Sequence, residues 1–359
     1  MPARSPLRIG ILFAALSALA FGVSAPAVAR LGFGVGAFTT AALLYAGALA
    51  ASFTSSGFAA RAPIALLRRH GARLVLIAVL GAALGPAAFA WGLQRAGATS
   101  GSLLLNFEAV FTAILAFFWF SEPFGKRFVA ALALMALGGS VLAVDGARTA
   151  ELNPLGLLAI TAATLCWALD NALTRGLSEE PPLAVVALKS ALGAGLALSL
   201  GRGLSETAPR SAQQYLLLLL VGAIGYGVSL RFYLEAQARI GAARTASVFA
   251  LAPFVGALVA WAFGDRALGW GGALAVPLFG LGAYLHLTER HQHAHRHEAL
   301  EHEHAHRHDD GHHLHSHSPP VVGEHTHRHR HEPLEHSHDH APDLHHQHEH
   351  EHEHEHEHD

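Results

Sequence analysis

One cysteine, Cys166, stands in 359 residues. A single thiol closes no intramolecular disulfide and makes no redox pair, so neither a disulfide scaffold nor thiol redox chemistry describes this chain. Charge is scarce as well, with Asp, Glu, Lys and Arg making up 14% of the residues. No basic stripe forms from it, which excludes a surface built to follow nucleic-acid phosphates. No catalytic triad or phosphate-cradling glycine loop can be traced, so an enzyme has no motif to rest on. Imidazole is nearly missing from residues 1–290, where His70 and His286 alone occur.

What remains divides into two materials. Residues 291–359 hold 27 of the 29 histidines, four Arg and 16 Asp or Glu, a balance of about −12 with neutral imidazoles. Such a segment has too little apolar surface to build a core, and disorder is expected of it. Residues 1–290 carry about +9, spread thinly through Leu, Ala, Gly, Val and Phe. Charge-free runs occupy 9–29, 31–60, 74–94, 128–144, 152–169, 211–230, 245–264 and 267–288. Most approach the roughly 20 apolar residues that a helix needs to cross hydrocarbon. Two more spans appear at 96–121 and 181–201 once Glu108 and Lys189 are admitted inside them. The expected fold is an all-α integral membrane protein of ten transmembrane helices. Arg4 and Arg8 ahead of the first run resemble a signal peptide, yet nine further spans exclude secretion of a soluble product.

Lys and Arg near span ends set the orientation. With the N-terminus inside, twelve fall on the cytoplasmic side and six outside, and the loop holding Arg61, Arg68, Arg69 and Arg73 votes most strongly. The expectation is a multi-pass protein of the cytoplasmic (inner) membrane, with both termini and the histidine tail in the cytoplasm. A shift of about 145 residues reveals a repeat. Gln94-Arg95-Ala96-Gly97-Ala98 opens span four, Ala238-Arg239-Ile240-Gly241-Ala242 opens span nine, and Glu108 falls opposite Pro253. Span one, with Phe21 and Arg30, likewise echoes span six, with Trp167 and Arg175. Residues 1–146 and 147–290 thus each hold five spans, and an odd number inserts the second copy from the opposite side. Inverted repeats give one chain two near-equivalent shapes, one open to each side; the alternative is a duplication kept for packing.

This five-plus-five plan resembles the drug/metabolite transporter superfamily, specifically its EamA type, over residues 7–289. The matching features, in order, are Ser121-Glu122-Pro123 after span four, Gly138-Gly139 in span five, Leu251-Ala252-Pro253-Phe254 in span nine and Gly264-Asp265 at its end. The resemblance implies transport of metabolites, amino acids or drugs, usually outward, without a cofactor. It also implies a basic residue in the span where Lys189 lies. Glu108 opposite Pro253 and the long tail depart from the family pattern.

Ionisable groups at membrane depth tend to face a cavity or one another. Glu108 lies about twelve residues into its span, two positions after Asn106, and no loop can rescue it. It is a candidate proton carrier or cation ligand; a structural ion pair is the alternative. Asp170 and Asn171 offer adjacent carboxylate and amide groups that suit a cation or a substrate amine, and equally a helix end. Lys189 is too deep to snorkel and needs an acidic partner, Asp170 or Glu108. Arg231 and Glu235, spaced i,i+4, read as a surface pair. The aromatic series Phe107, Phe111 and Phe117 to Phe120 reads as interfacial belt or as a route for an apolar solute.

The tail is ordered in sequence. The stretch 295–304 recurs at 329–338, and Glu-His alternates from 349 to 358. Neutral imidazole binds Zn, Ni, Co and Cu, so His295, His297, His302, His304, His306, His308, His312 and His313 are candidate ligands. The later candidates are His329, His331, His336, His338, His340, His345 and His346. Protonation near pH 6.5 would remove their lone pairs; a pH-sensitive polyampholyte is the alternative. The sequence therefore points to a secondary transporter of a small solute working by alternating access, coupled to protons or charge through Glu108 and Asp170, with efflux the expected direction. A divalent metal ion is a second candidate cargo, motivated by the tail. The partners expected are the bilayer, that cargo and, for the assembly, a homodimer, with no nucleic acid and no required cofactor. The rival is a membrane-anchored metal buffer or sensor that transports nothing.

Overall fold

The computed structural model describes residues 6–53, 62–120, 126–149, 153–177, 180–240, 242–265 and 269–287, and in the tail 291–297, 301–306, 325–330 and 334–340. It divides into two units, Met1–Glu289 with Asp343–Asp359, and Arg290–Pro342.

The first unit is helical. In chain order it runs α1 Pro6–Leu31, α2 Ala37–Phe53, α3 Ala62–Ala78, α4 Gly85–Ala96, α5 Ala98–Leu104, α6 Phe107–Phe120 and α7 Lys126–Thr149. Then follow α8 Pro154–Thr174, α9 Pro182–Gly203, α10 Ala212–Gly222, α11 Ser229–Ile240, α12 Ala242–Phe249, α13 Ala252–Ala262 and α14 Trp270–Leu287. Single π-helical turns, Val79–Leu84 and Ala223–Val228, join α3 to α4 and α10 to α11. Six stretches are long and apolar enough to cross a bilayer: Leu7–Leu31, Leu66–Ala96, Ala98–Trp119, Pro154–Leu177, Leu183–Gly203 and Ala212–Gln237. Ala37–Phe53, Val129–Leu142, Ala252–Ala262 and Trp270–Leu285 are shorter apolar helices. Leu155, Leu158 and Leu165 on α8 and Leu216 and Leu220 on α10 stand exposed, rows that suit hydrocarbon and not water.

The spans read as continuous from composition contain breaks. The Leu105–Asn106 turn divides α5 from α6, where the Asn106 side-chain amide donates to Leu103 O at 2.8 Å and so competes with the helix ladder. Ala250 and Leu251 divide α12 from α13, and Pro253, which lacks an N–H, follows at once. These breaks lie about 145 residues apart, and so do the two π turns. The repeat visible in sequence is thus carried into local backbone geometry as well.

The core gathers Phe89 and Leu93 of α4, Leu103 of α5, Ile160 and Trp167 of α8, and Phe279 of α14. Phe89 and Trp167 meet edge to face with centroids 5.3 Å apart. The helix α2 packs on α9 and α10, α1 on α11 and α13, and α14 on α7. Where α2 meets α10, a Cβ at Gly222 would overlap the Leu44 backbone, so the two chains approach as only glycine allows.

The described segments of the second unit are strands. His291–His297 pairs antiparallel with Leu334–His340, and Glu301–His306 pairs antiparallel with His325–Arg330. The strict two-residue alternation of His with other residues matches the period of an extended strand, which is the physical reason for the pairing. The two copies of the tail repeat thereby lie against each other. His293 is opposite His338, His295 opposite His336, His302 opposite His329 and His304 opposite His327.

Candidate functional site

Charged groups at membrane depth resolve into two neighbouring pairs. Asp170, buried near the end of α8, forms an ion pair with Lys189 of α9. Thr174, one turn further along α8, donates its hydroxyl to Asp170 Oδ1 at 3.4 Å. Of the two acidic partners open to Lys189, Asp170 takes it. Glu108 instead accepts a hydrogen bond from Asn171 Nδ2 at 2.8 Å. Asn171 is therefore not a helix-end residue bonding its own backbone: its side chain reaches across to α6. Consecutive residues on a helix point about 100° apart, which lets Asp170 serve α9 while Asn171 serves α6.

Glu108 lies in the first turn of α6, just past the helix break, and retains accessible surface. Its hydrogen bond from Asn171 turns it toward α8, the helix on which α6 packs. Ionisable groups within apolar helices as a rule face the bundle interior, in keeping with a carboxylate held by Asn171.

The π turn Val79–Leu84 shapes the same region. A π turn widens the helix and frees a backbone carbonyl; that of Gly81 accepts the Tyr45 hydroxyl at 2.6 Å and Trp167 Nε1–H at 3.1 Å. A Cβ at Gly81 would collide with the Asp170 carboxylate. One glycine thus ties α2 and α8 together and leaves room for the ion pair. From sequence Gly81 is a small residue suited to close helix packing or to a hinge, because hydrophobicity does not distinguish a π turn from an α turn.

An aromatic cluster lines the other side. Phe21 packs on Tyr226 at 5.8 Å and on Phe249 at 5.5 Å between centroids, Tyr45 on Tyr226 at 5.6 Å, and Tyr233 on Phe249 at 5.1 Å. These are not the aromatics that sequence suggested for a route. Phe117, Phe118 and Trp119 are exposed, and Phe107 packs on Phe111 and Phe279. A run of adjacent aromatics marks a helix that is apolar all round, whereas this cluster draws single rings from five elements.

Asn106, a candidate beside Glu108 in the sequence, donates to the Leu103 carbonyl at the break. One further expectation changes. Glu235 pairs with Arg239, also at i,i+4, and not with Arg231; Arg239 additionally donates to Glu235 O at 2.7 Å, which fixes that partner.

One end of the bundle is tied by carboxylates that sequence did not single out for a role. Glu206 accepts the Thr39 N–H at 2.8 Å, the Phe38 N–H at 3.2 Å and the Thr39 hydroxyl at 3.1 Å, capping α2. Asp265 accepts the Ala98 and Thr99 N–H groups, capping α5, and its own carbonyl accepts the Thr99 hydroxyl at 2.8 Å. Asp145 accepts the Gly271 N–H at 2.9 Å at the start of α14. Negative charge at a helix N-terminus satisfies orphan N–H groups and opposes the helix dipole favourably. Each of these caps joins one sequence repeat to the other.

Among the described residues, no three of His, Cys, Asp and Glu come together as a metal site. The candidate ligands His308, His312, His313, His331, His345 and His346 lie outside the described residues. His295, His297, His302, His304, His306, His329, His336, His338 and His340 fall at the paired strand positions given above.

With this geometry in hand, residues 8–144 and 154–288 each match the model of the EamA-like transporter family. The chain belongs to that family. It is accordingly a multi-pass membrane protein of a family of transporters. A Methanothermobacter thermautotrophicus protein named as an uncharacterized transporter is 29% identical over 194 residues. That match covers 52% of this chain and 56% of the relative, so it spans little more than half of either. A crystal structure 18% identical in sequence covers 77% of this chain and 95% of its own, with a TM-score of 0.53, a likeness of fold.

Proposed function

We propose that this EamA protein is a secondary transporter that moves a small solute by alternating access across the cytoplasmic membrane, with export as its direction and proton or charge coupling at Glu108. The observation that carries the proposal is Glu108 at a helix break, accessible and held by an uncharged amide while Lys189 is held by Asp170. Discontinuous helices at corresponding places in two repeats are where secondary transporters bind cargo. In this reading the six long and four shorter apolar helices all cross the membrane, the halves are inverted, and the termini are cytoplasmic. The carboxylate caps between the repeats close one end while the site opens toward the other. The tail collects divalent Zn, Ni, Co or Cu, binding that no other part of the chain requires, and the assembly is a homodimer.

Flux in proteoliposomes tests this directly. Glu108→Gln keeps the shape and removes the charge, and flux of any transported solute should fall at least tenfold. Unchanged flux would remove Glu108 from the mechanism, and no flux of any solute by the intact protein would favour a membrane-anchored metal buffer.

A further inference from the structure

The two strand ladders of the tail hold an arrangement that composition does not give. The second ladder continues the register of the first without a slip: from His291 to Glu301 on one arm, the partner moves back by the same number of positions, from His340 to Arg330. Residues opposite each other in an antiparallel pair share a face, and faces alternate along each strand. In the first ladder, His291, His293 and His295 stand opposite His340, His338 and His336. In the second, His302, His304 and His306 stand opposite His329, His327 and His325. Each ladder thus carries three consecutive imidazole rungs on one face. The other face is matched by charge, with Arg296 opposite Glu335, Glu301 opposite Arg330 and Glu303 opposite Arg328. A slip of one residue would set every imidazole against a residue of the other face, so the charges and the His rungs specify the same register.

Such a ribbon lacks the means to hold itself closed. A two-stranded hairpin is marginally stable at best in water, and closing the chain between His306 and His325 costs further entropy. A rung of two imidazoles adds neither an opposite charge nor an aliphatic contact, and it repels once both rings are protonated. What it does offer is a pair of ligands. Opposite Cα atoms in a ladder stand about 4.5–5.5 Å apart and the next rung on the same face follows within about 7 Å, so two successive rungs offer four nitrogen donors to one ion. Zinc, nickel, cobalt and copper take such nitrogen sets, whereas calcium and magnesium prefer oxygen. Among the described residues no preformed cluster of three ligands exists, so the register supplies the donors and the ion must close the site. Metal bonds made only when the strands are paired add their free energy to the pairing.

We propose that the tail is a metal-closed hairpin, in which a divalent transition ion bridges facing imidazoles of opposite strands and so joins the first copy of the tail repeat to the second. Metal binding by the tail is the reading on which this rests; what is new is which histidines share an ion. They come from opposite arms, and not from neighbours within a single His-x-His run.

Nitroxide labels at Gln292→Cys and Asp339→Cys, opposite each other on the mixed face and in a Cys166→Ser background, read the pairing in the full chain. Dipolar distance measurement in detergent at about pH 7.5, where imidazole is mainly neutral, is combined with equilibrium dialysis of Zn2+ on the same samples. Zn2+ should turn a broad distance distribution into a single short one, EDTA should reverse it, and Mg2+ should have no effect. His336→Ala, His338→Ala and His340→Ala combined should broaden it again although His291, His293 and His295 are untouched. Arg296→Glu should raise the Zn2+ concentration needed for closure roughly 2- to 5-fold, the range of one cross-strand charge pair, and adding Glu335→Arg should restore it. Zn2+ bound with the distance left broad would overturn the hairpin and leave the metal reading of the tail intact. A short distance present without Zn2+ and unmoved by EDTA would overturn closure by metal. If dialysis finds no Zn2+ bound, the metal reading itself fails and the shared-ion assignment falls with it.

Discussion

At the scale of single residues, the ion pair between Lys189 and Asp170 governs how the site tolerates substitution. Removing one member leaves an uncompensated charge among apolar neighbours, whereas replacing both leaves an ordinary core contact. Lys189 is 20% and Asp170 3% exposed at the side chain, so the effect belongs at the lower end of the usual range. Lys189→Met is expected to lower stability by about 3 kcal/mol in detergent unfolding. The double variant with Asp170→Leu should regain most of that loss, and failure to regain it would show that the pair is not what the single substitution broke. These residues were legible because a charge inside a long apolar run stands out. Their pairing was not: Lys189 had two acidic candidates, and only the positions of α6, α8 and α9 assign Asp170 to it and Asn171 to Glu108.

At the scale of elements, the irregular segments matter most. The π turn at Val79–Leu84 places the Gly81 Cα against the Asp170 carboxylate, so Gly81→Ala must displace the carboxylate or reshape the turn. A loss of about 1–3 kcal/mol is expected, comparable to overpacking a core. Gly195 on α9 has nothing within 4 Å of an added Cβ and provides the contrast. Gly195→Ala should be neutral or stabilising by up to about 1 kcal/mol, since alanine is the better helix former. Melting temperatures of the two variants measured side by side decide the matter.

Asp265 caps α5 from the other repeat, and losing a cap costs roughly 1 kcal/mol. In the alternating-access reading Asp265→Ala favours the shape in which this end is open. A cysteine introduced at Thr99, with Cys166→Ser, should then react faster with an impermeant maleimide than it does when Asp265 is present. Equal rates would mean that the cap does not hold that end closed. The helix breaks at Leu105–Asn106 and Ala250–Leu251 were visible only as an Asn and a Pro inside apolar runs. Neither is decisive in a chain where apolar helices also tolerate both.

At the scale of the whole molecule, the helical unit and the tail answer to different forces. Burial in hydrocarbon organises the first, and the two-residue alternation of imidazole with other side chains marks the second. A chain ending at Arg290 should keep its transport in proteoliposomes and lose high-capacity Zn2+ binding. For the full chain, binding should be present above about pH 6.5 and fall as pH drops through that value, because protonation of the imidazoles removes the donor lone pairs. Calorimetric titration with Zn2+ across pH checks both. Binding that persists in the truncated chain would place the ligands elsewhere.

The amino-acid sequence by itself determined that this chain is a membrane protein, where its apolar stretches begin and end, that it is built from two related halves, and which charges are anomalous. Each of those follows from local composition, since transfer into hydrocarbon depends on the run of side chains and not on their neighbours in space. The tertiary structure alone decided which charges pair, which rings cluster, where the helices loosen into π turns, and which carboxylates tie the repeats together. A helix that is apolar on every face presents no amphipathic stripe to say which side turns inward. Its facing is settled only when such helices pack and a few polar atoms find one another.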